Sequence, residues 1–239
     1  EQVRFEIMLT ESRSVATTVQ NALGSSTSLT TLTSEYSASP DVPVINDWVP
    51  YEVLANKDVA AALRTLQPNE SAVVHDPSVA KNVGYWIIEV IDRDESGAIK
   101  PRAMLCTSLE DAMRAKERLA TEDFADVAKQ YSQIYSMTEN AEFDWVAPDD
   151  VVTAAFNAAA FSLELNVVSD PIKETEIQTT GGYWVLRLLE RATRAPYANV
   201  ASVMASAAFD SWYKEVSAIA AVEQLLTADQ KKWALARIQ

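Results

Sequence analysis

Two stretches, Gly84-Tyr85-Trp86-Ile87-Ile88 and Gly182-Tyr183-Trp184-Val185-Leu186, decide the fold of this 239-residue chain, because each closes one copy of a repeated pattern. The same uncommon residues precede both stretches in the same order: Tyr36-Ser37 and Asp47-Trp48-Val49 in the first copy, Tyr131-Ser132 and Asp144-Trp145-Val146 in the second. The tyrosines lie 95 residues apart and the glycines 98 apart, a drift that small loop insertions explain. The pattern indicates an internal duplication.

Each copy alternates between the periodicities of strands and helices. Every second residue from Val3 to Leu9 is apolar, as in a half-buried strand. Ser108 precedes the helix-like run Leu109–Leu119 and has Asp111 three residues on, which predicts a helix N-cap. Each copy therefore reads as strand, two helices, short strand, helix and strand, and the predicted fold class is α+β.

These elements predict a chain of two tandem units and a tail. The predicted segments are a first unit at 1–93, a linker or hairpin-like connection at 94–100, a second unit at 101–193 and a helical segment at 194–239. Each unit is expected to be a small, mostly antiparallel sheet with helices packed around it. The C-terminal segment has no counterpart in the first copy, and its aromatic residues are expected to dock on another surface.

Composition excludes several classes of function. The chain has 34 acidic and 20 basic residues, a net charge of −14, which repels nucleic acid and anionic lipid surfaces. No apolar run reaches the roughly 18 residues of a membrane-spanning helix. His75 is the single histidine and is expected at the surface, whereas the single cysteine, Cys106, is expected to be a buried, inert thiol. One histidine and one cysteine predict no metal site of the usual kind.

The second copy resembles a parvulin-type prolyl isomerase domain. The motifs that carry the resemblance are Arg102-Ala103, Phe124-Ala125 with Ala128 and Tyr131-Ser132, Phe156 with Ala159-Ala160-Phe161 and Leu163, Ser169-Asp170-Pro171 and Gly182-Tyr183. The first copy shares mainly the outline. Tandem parvulin domains followed by helices resemble the SurA-type foldases of bacterial envelopes, which implies a chaperone module with an N-terminal helical segment as a further partner.

The family's active-site histidines are replaced in both copies. By alignment with the family, the first-strand histidine falls on Ile7 and Leu105, and the last-strand histidine falls on Trp86 and Trp184. The resemblance implies an activity that needs no cofactor and no metal, and no residue is predicted as catalytic. What remains is a predicted apolar pocket for peptide, formed by residues of both copies: Ile7, Trp48, Trp86, Leu105, Ile134, Trp145, Phe156, Phe161 and Trp184.

Three functions remain open at this point. The first is a foldase or chaperone that binds unfolded or extended polypeptide with little or no isomerase activity. The second is an active prolyl isomerase that uses other pocket groups, and the third is a structural spacer within a larger envelope protein. The resemblance implies an extracytoplasmic location, in the periplasm or at the cell surface.

Overall fold

A computed structural model describes residues 1–24, 27–39, 44–134, 141–219, 230 and 232–233, with backbone alone at 45–46, 86–89, 185–186, 188 and 199. The chain divides into two compact units, Glu1–Thr193 and Arg194–Gln239. Both copies of the repeat therefore lie within the compact unit Glu1–Thr193. The boundaries between the two copies, at 93 and 101, stay a prediction from the sequence.

The first repeat supplies four strands and three helices among its described residues. They are β1 (Gln2–Thr10), α1 (Arg13–Ala22), α2 (Leu29–Tyr36), β2 (Ile45–Pro50), α3 (Lys57–Thr65), β3 (Ser71–Lys81) and β4 (Gly84–Arg93). Side chains cap two of the helices, because Ser12 accepts a hydrogen bond from the Val15 N–H and Asn56 accepts one from the Val59 N–H. The alternating residues of β1 form the predicted strand.

The second repeat supplies three strands and three helices among its described residues. Its described elements are β5 (Ile99–Cys106), α4 (Leu109–Arg118), α5 (Phe124–Tyr131), α6 (Ala154–Ala160), β6 (Ile172–Glu174) and β7 (Thr179–Ala192). The predicted N-cap of α4 is confirmed, since Ser108 Oγ accepts from the Asp111 N–H at 3.2 Å. All strand pairs are antiparallel, which agrees with the predicted α+β class.

The two repeats exchange their last strands. The first sheet has the order β2-β1-β7-β3, and the second has the order β5-β4-β6. Strand β4 of the first repeat thus lies in the middle of the second sheet, and β7 of the second repeat lies in the middle of the first. The sequence predicts a separate sheet for each unit, and the structure corrects this, because each sheet contains the last strand of the other repeat.

The connections before and after β4 explain the exchange. Asn82 and Val83 are the only residues between β3 and β4, and a two-residue hairpin turn requires positive φ, which a β-branched residue such as Val83 disfavours. After β4, Gly97 at φ +85° and Asp94 form a compact turn in which Asp94 Oδ1 accepts from the Ser96 N–H at 2.8 Å. This turn makes β4 and β5 a hairpin, so the hairpin-like connection is the one of the two alternatives that forms, over 94–98, with Ile99 and Lys100 already paired in β5.

Glycines allow the strands to cross closely. A Cβ at Gly84 would lie 2.7 Å from Thr179 Cγ2 and 3.2 Å from the Cys106 carbonyl oxygen. A Cβ at Gly182 would lie 2.9 Å from the Thr10 carbonyl oxygen. Both distances under 3.0 Å are shorter than van der Waals contact. At Gly182 the neighbour is a backbone oxygen, so glycine is needed for close backbone approach, whereas at Gly84 the nearest neighbour is a side-chain methyl.

A buried lysine sits at one crossing. Lys81 is 1% exposed, and its Nζ donates to Thr107 Oγ1 at 2.5 Å, to the Gly181 carbonyl at 2.7 Å and to the Glu11 carbonyl at 3.3 Å. Burial lowers the pKa of Lys81 to about 8, opposed by the negative charges of Glu11 and Asp111. The ammonium thus links both repeats.

Arginines at the ends of the exchanged strands fasten a helix of the other repeat. On β7, Arg191 donates to the Leu63 carbonyl at 2.9 Å and to the Leu66 carbonyl at 3.0 Å, at the C-terminus of α3. On β4, Arg93 donates to the carbonyls of Phe161 and Leu163, beyond the C-terminus of α6. The bonds of Arg191 satisfy carbonyls at the end of α3 that lack intrahelical partners, and those of Arg93 satisfy carbonyls in the turn that follows α6.

The C-terminal compact unit, Arg194–Gln239, contains α7 (Ala198–Ile219), so the predicted helical segment is helical over those residues. Phe209, Trp212, Tyr213 and Val216 lie at helical spacing and are all exposed. The rings of Phe209 and Trp212 contact each other, with centroids 5.6 Å apart. Among the described residues, no helix combines the length and the hydropathy of a membrane-spanning segment.

Candidate functional site

An apolar cluster around Leu105 forms the candidate site of the second sheet. Leu105 on β5 is 1% exposed, and Phe156 on α6 is fully buried beside it. Ile134 and Phe161 pack against the cluster that contains both residues, and they remain partly exposed. Four of the nine predicted pocket residues are therefore brought together, two of them buried and two of them partly exposed.

Because of the strand exchange, each sheet receives the tryptophan of the other repeat. Trp86 lies opposite Leu105 in the β4–β5 ladder, and Trp184 lies opposite Leu9 in the β1–β7 ladder. The side chain of Trp86 lies outside the described residues. The two registers make Leu9 the counterpart of Leu105, which corrects the alignment of the repeats that placed Ile7 there.

Trp184 is a half-buried residue of the first sheet. It packs against two apolar clusters, one of which also contains Ile7, and its Nε1 donates to Asp76 Oδ2 at 3.1 Å. Burial raises the pKa of Asp76, but the hydrogen bonds from Trp184, Ser78 and Asn56 outweigh it and hold the pKa below its ordinary value. Trp184 is thereby fixed by a charged partner, which no sequence pattern indicated.

The remaining predicted tryptophans lie apart from these clusters. Trp145 is 46% exposed and precedes Val146, which pairs with Ile99 at the edge of the second sheet. Trp48 is half-buried on β2, the edge strand of the first sheet. Within the described part of the chain, neither belongs to an apolar cluster, so the structure does not join them to the predicted pocket.

Charged side chains form ion pairs along β5, at the edge of the second sheet. Glu142 Oε1 accepts from Arg102 Nη2 at 3.0 Å, and Glu142 Oε2 lies 3.2 Å from Lys100 Nζ. The hydrogen bond from Arg102, with that from Lys100, overcomes desolvation and lowers the pKa of Glu142. Because Glu142 pairs with Arg102 across a β-bridge, these bonds tie the segment around 142–146 to β5.

The two residues with reactive side chains lie elsewhere. His75 is exposed on the edge strand β3, and its ring lies 4.7 Å from that of Tyr183, so the predicted surface histidine is confirmed. Cys106 is fully buried, and burial raises the pKa of its thiol to about 12, which confirms the predicted inert thiol. The described part of the site around Leu105 therefore offers apolar contact area and includes neither Cys106 nor His75.

A family comparison matches part of the chain. Residues 103–190 match the model described as "Rotamase: PPIC-type PPIASE domain". The matched residues run from β5 into β7, so the segment that is contiguous in sequence contributes to both sheets. Residues 103–190 are therefore similar to a PpiC-type parvulin domain.

Curated relatives are foldases and chaperones by name. The chain is 30% identical over 95 residues to "Foldase protein PrsA" of Bacillus subtilis (strain 168), covering 39% of this chain and 31% of the relative. It is 28% identical over 193 residues to "Chaperone SurA" of Methylobacillus flagellatus, covering 69% of this chain and 41% of the relative. The matched regions span about a third of the first relatives' own length. The chain is therefore homologous to these proteins over a part of each.

The chain is also similar in part to one solved structure. That structure is the "Crystal Structure of PrsA from Bacillus subtilis", at 21% identity and a TM-score of 0.27, covering 61% of this chain and 53% of that one.

Proposed function

We propose that this chain is a foldase or chaperone module that binds unfolded or extended polypeptide and has little or no prolyl isomerase activity. The observation that carries the proposal is the burial of Leu105, at the position of the family's first-strand histidine, in an apolar cluster against which the partly exposed Ile134 and Phe161 pack. An apolar surface of this kind takes up apolar side chains and proline rings of extended segments.

The same site supplies little for isomerisation. Rotation about a prolyl peptide bond crosses a barrier of roughly 18–20 kcal/mol. Lowering it requires polar groups aimed at the twisted amide. Leu105 has none, and Cys106 beside it is fully buried as a protonated thiol. Similarity to PrsA and SurA supports a role in protein folding, and by resemblance the location is extracytoplasmic.

Two assays test the proposal. The chain is expected to suppress light scattering by thermally unfolded citrate synthase and to leave the cis-to-trans rate of an Ala-Pro test peptide at its uncatalysed value. Replacement of both Phe161 and Ile134 by Ser should weaken the suppression several-fold, because apolar contact area is removed. Val151→Ser is the control, since Val151 is 77% exposed and is not part of the cluster.

Each alternative has its own outcome. Acceleration of the test peptide by tenfold or more, lost in variants of Trp184, would establish an isomerase that uses other groups. Absence of both activities in the folded chain would identify a structural spacer.

A further inference from the structure

The carboxamide of Gln133 closes a gap between helix α5 and the crossing strand β7. Gln133 follows α5, and its backbone N–H donates to the Leu105 carbonyl at 2.9 Å. Its side chain then makes a pair of hydrogen bonds with one peptide unit: Nε2 donates to the Thr180 carbonyl at 2.9 Å, and Oε1 accepts from the Thr180 N–H at 2.6 Å. The side chain thereby acts like a short piece of an added strand.

The first repeat has an alanine at the equivalent place. Ala38 follows Tyr36-Ser37 as Gln133 follows Tyr131-Ser132, and its N–H donates to the Leu9 carbonyl at 2.8 Å. Leu9 is the counterpart of Leu105, so the two backbones are held alike. Ala38 ends in a methyl group, which can neither donate nor accept a hydrogen bond.

A cavity of about 530 Å³ opens beside Ala38. Asn82, which precedes Gly84 by two residues as Thr180 precedes Gly182, lines this cavity together with Ala38. Val15, Val83 and Tyr85 supply apolar wall, and β6 contributes Lys173 on the far side. The cleft therefore lies where the second repeat places the Gln133 carboxamide against the crossing strand.

We propose that this cleft binds a polypeptide segment that inserts a carboxamide side chain, of Gln or Asn, against the main chain at Asn82, in the place that Gln133 fills in the other repeat. The inference rests on the proposed function in taking polypeptide as the ligand. It assigns a second contact, separate from the apolar site around Leu105, and adds a preference for a particular side chain.

The charges of the cleft set a further preference. Glu11 and Glu35 both line it, and Glu11 is held in place because its Oε2 accepts from the Tyr85 hydroxyl and its Oε1 accepts from the Leu109 N–H, each at 3.2 Å. Two carboxylates against the single ammonium of Lys173, on a chain of net charge −14, favour segments with a basic residue near the carboxamide.

The test uses the whole chain labelled with ¹⁵N and two short acetylated, amidated peptides. The first is Gly-Ser-Lys-Ala-Gln-Ala-Ser-Gly, and the second has norleucine in place of Gln. The first peptide is expected to shift the amide resonances of Ala38, Asn82 and Val83, with an affinity at least fivefold higher than the second. Equal affinities for the two peptides would mean that a main-chain amide is bound instead, and would overturn the carboxamide assignment.

Matched variants complete the test. Ala38→Gln should fill the cleft from within and weaken binding of the Gln peptide at least tenfold, while Gln133→Ala should create new peptide-dependent shifts at Thr180 and Gly181. Unchanged binding in Ala38→Gln would overturn the inference. If binding is unchanged and the chain still suppresses citrate synthase aggregation, only this site has failed and the proposed function stands. If the parent chain neither binds peptide nor suppresses aggregation, the proposed function has failed as well.

Discussion

The first and second repeats cross their chains at equivalent points but fill the two crossings differently. At one crossing, Thr179 Oγ1 donates to the Val83 carbonyl at 2.5 Å; at the other, Lys81 Nζ donates to the Gly181 carbonyl at 2.7 Å. Val83 and Gly181 each stand directly before the glycine of a Gly-Tyr-Trp stretch. Close backbone approach is therefore common to both crossings. The group that donates to the carbonyl is a neutral hydroxyl at Val83 and a charged ammonium at Gly181.

The largest expected effect comes from cutting the repeats apart. Since β4 and β7 are interior strands of the other repeat's sheet, fragments 1–93 and 94–239 each lose a central strand. Neither fragment alone is expected to show a cooperative urea transition, and an equimolar mixture should regain the near-UV circular dichroism of the intact chain. A cooperative transition of fragment 1–93 alone would mean that the first repeat can close on its own β4.

The next largest effect is expected at the glycines. Gly182→Ala should lower the free energy of unfolding by about 3 kcal/mol, because the new Cβ meets the Thr10 carbonyl oxygen, which cannot move without its strand. Gly84→Ala should cost less, since its nearest neighbour is a side-chain methyl of Thr179. Urea denaturation measures both. Gly24→Ala is the control, with nothing within 4 Å, and equal effects at all three positions would contradict the close crossing.

The charged crossing should be visible in the pH dependence of stability. The pKa of Lys81 is about 8 in the folded chain against 10.5 for a free lysine, so between these values the unfolded chain binds more protons. The free energy of unfolding therefore rises with pH, by about 2 kcal/mol between pH 8 and pH 10 relative to the variant Lys81→Met. Below pH 8 both states are protonated and the difference is constant.

Thr179→Val is the matched variant at the neutral crossing. It removes a hydrogen bond without removing a titrating group, so its effect on unfolding should be the same at pH 8 and at pH 10. Parallel pH profiles of the parent chain and Lys81→Met would show that the lysine is solvated and contradict its burial.

The smallest effects are expected at the two arginines. Arg191→Met should lower the free energy of unfolding by about 1.5 kcal/mol, because the half-buried guanidinium bonds the Leu63 and Leu66 carbonyls and the Tyr51 hydroxyl. Arg93→Met should cost less than about 0.5 kcal/mol, since Arg93 is exposed. Amide exchange of α3 and α6 locates each loss, and the reverse order of effects would contradict the asymmetry.

Local patterns carried much of the fold. Strand β1, the Ser108 cap of α4 and the α+β class follow from residues close together in sequence, since periodicity and capping depend on neighbours within one turn or one strand. The grouping of Leu105, Ile134, Phe156 and Phe161 was also predictable, because the resemblance placed them around one sheet. The exposure of His75 and the burial of Cys106 were predicted from the neighbouring residues in the sequence, since the chain has one histidine and one cysteine.

Other features depended on which strands pair. Trp184 was predicted in one pocket with Leu105 but pairs with Leu9, because the choice between two nearly identical Gly-Tyr-Trp strands is a competition between long-range pairings. Lys81 reads in sequence as an exposed lysine at a strand end, and Ala38 as an ordinary loop residue. The sequence by itself determined two similar sets of strands and helices with an apolar site. The tertiary structure alone decided which strand completes which sheet. The buried ammonium and the open cleft follow from that choice, since both lie where the two repeats cross.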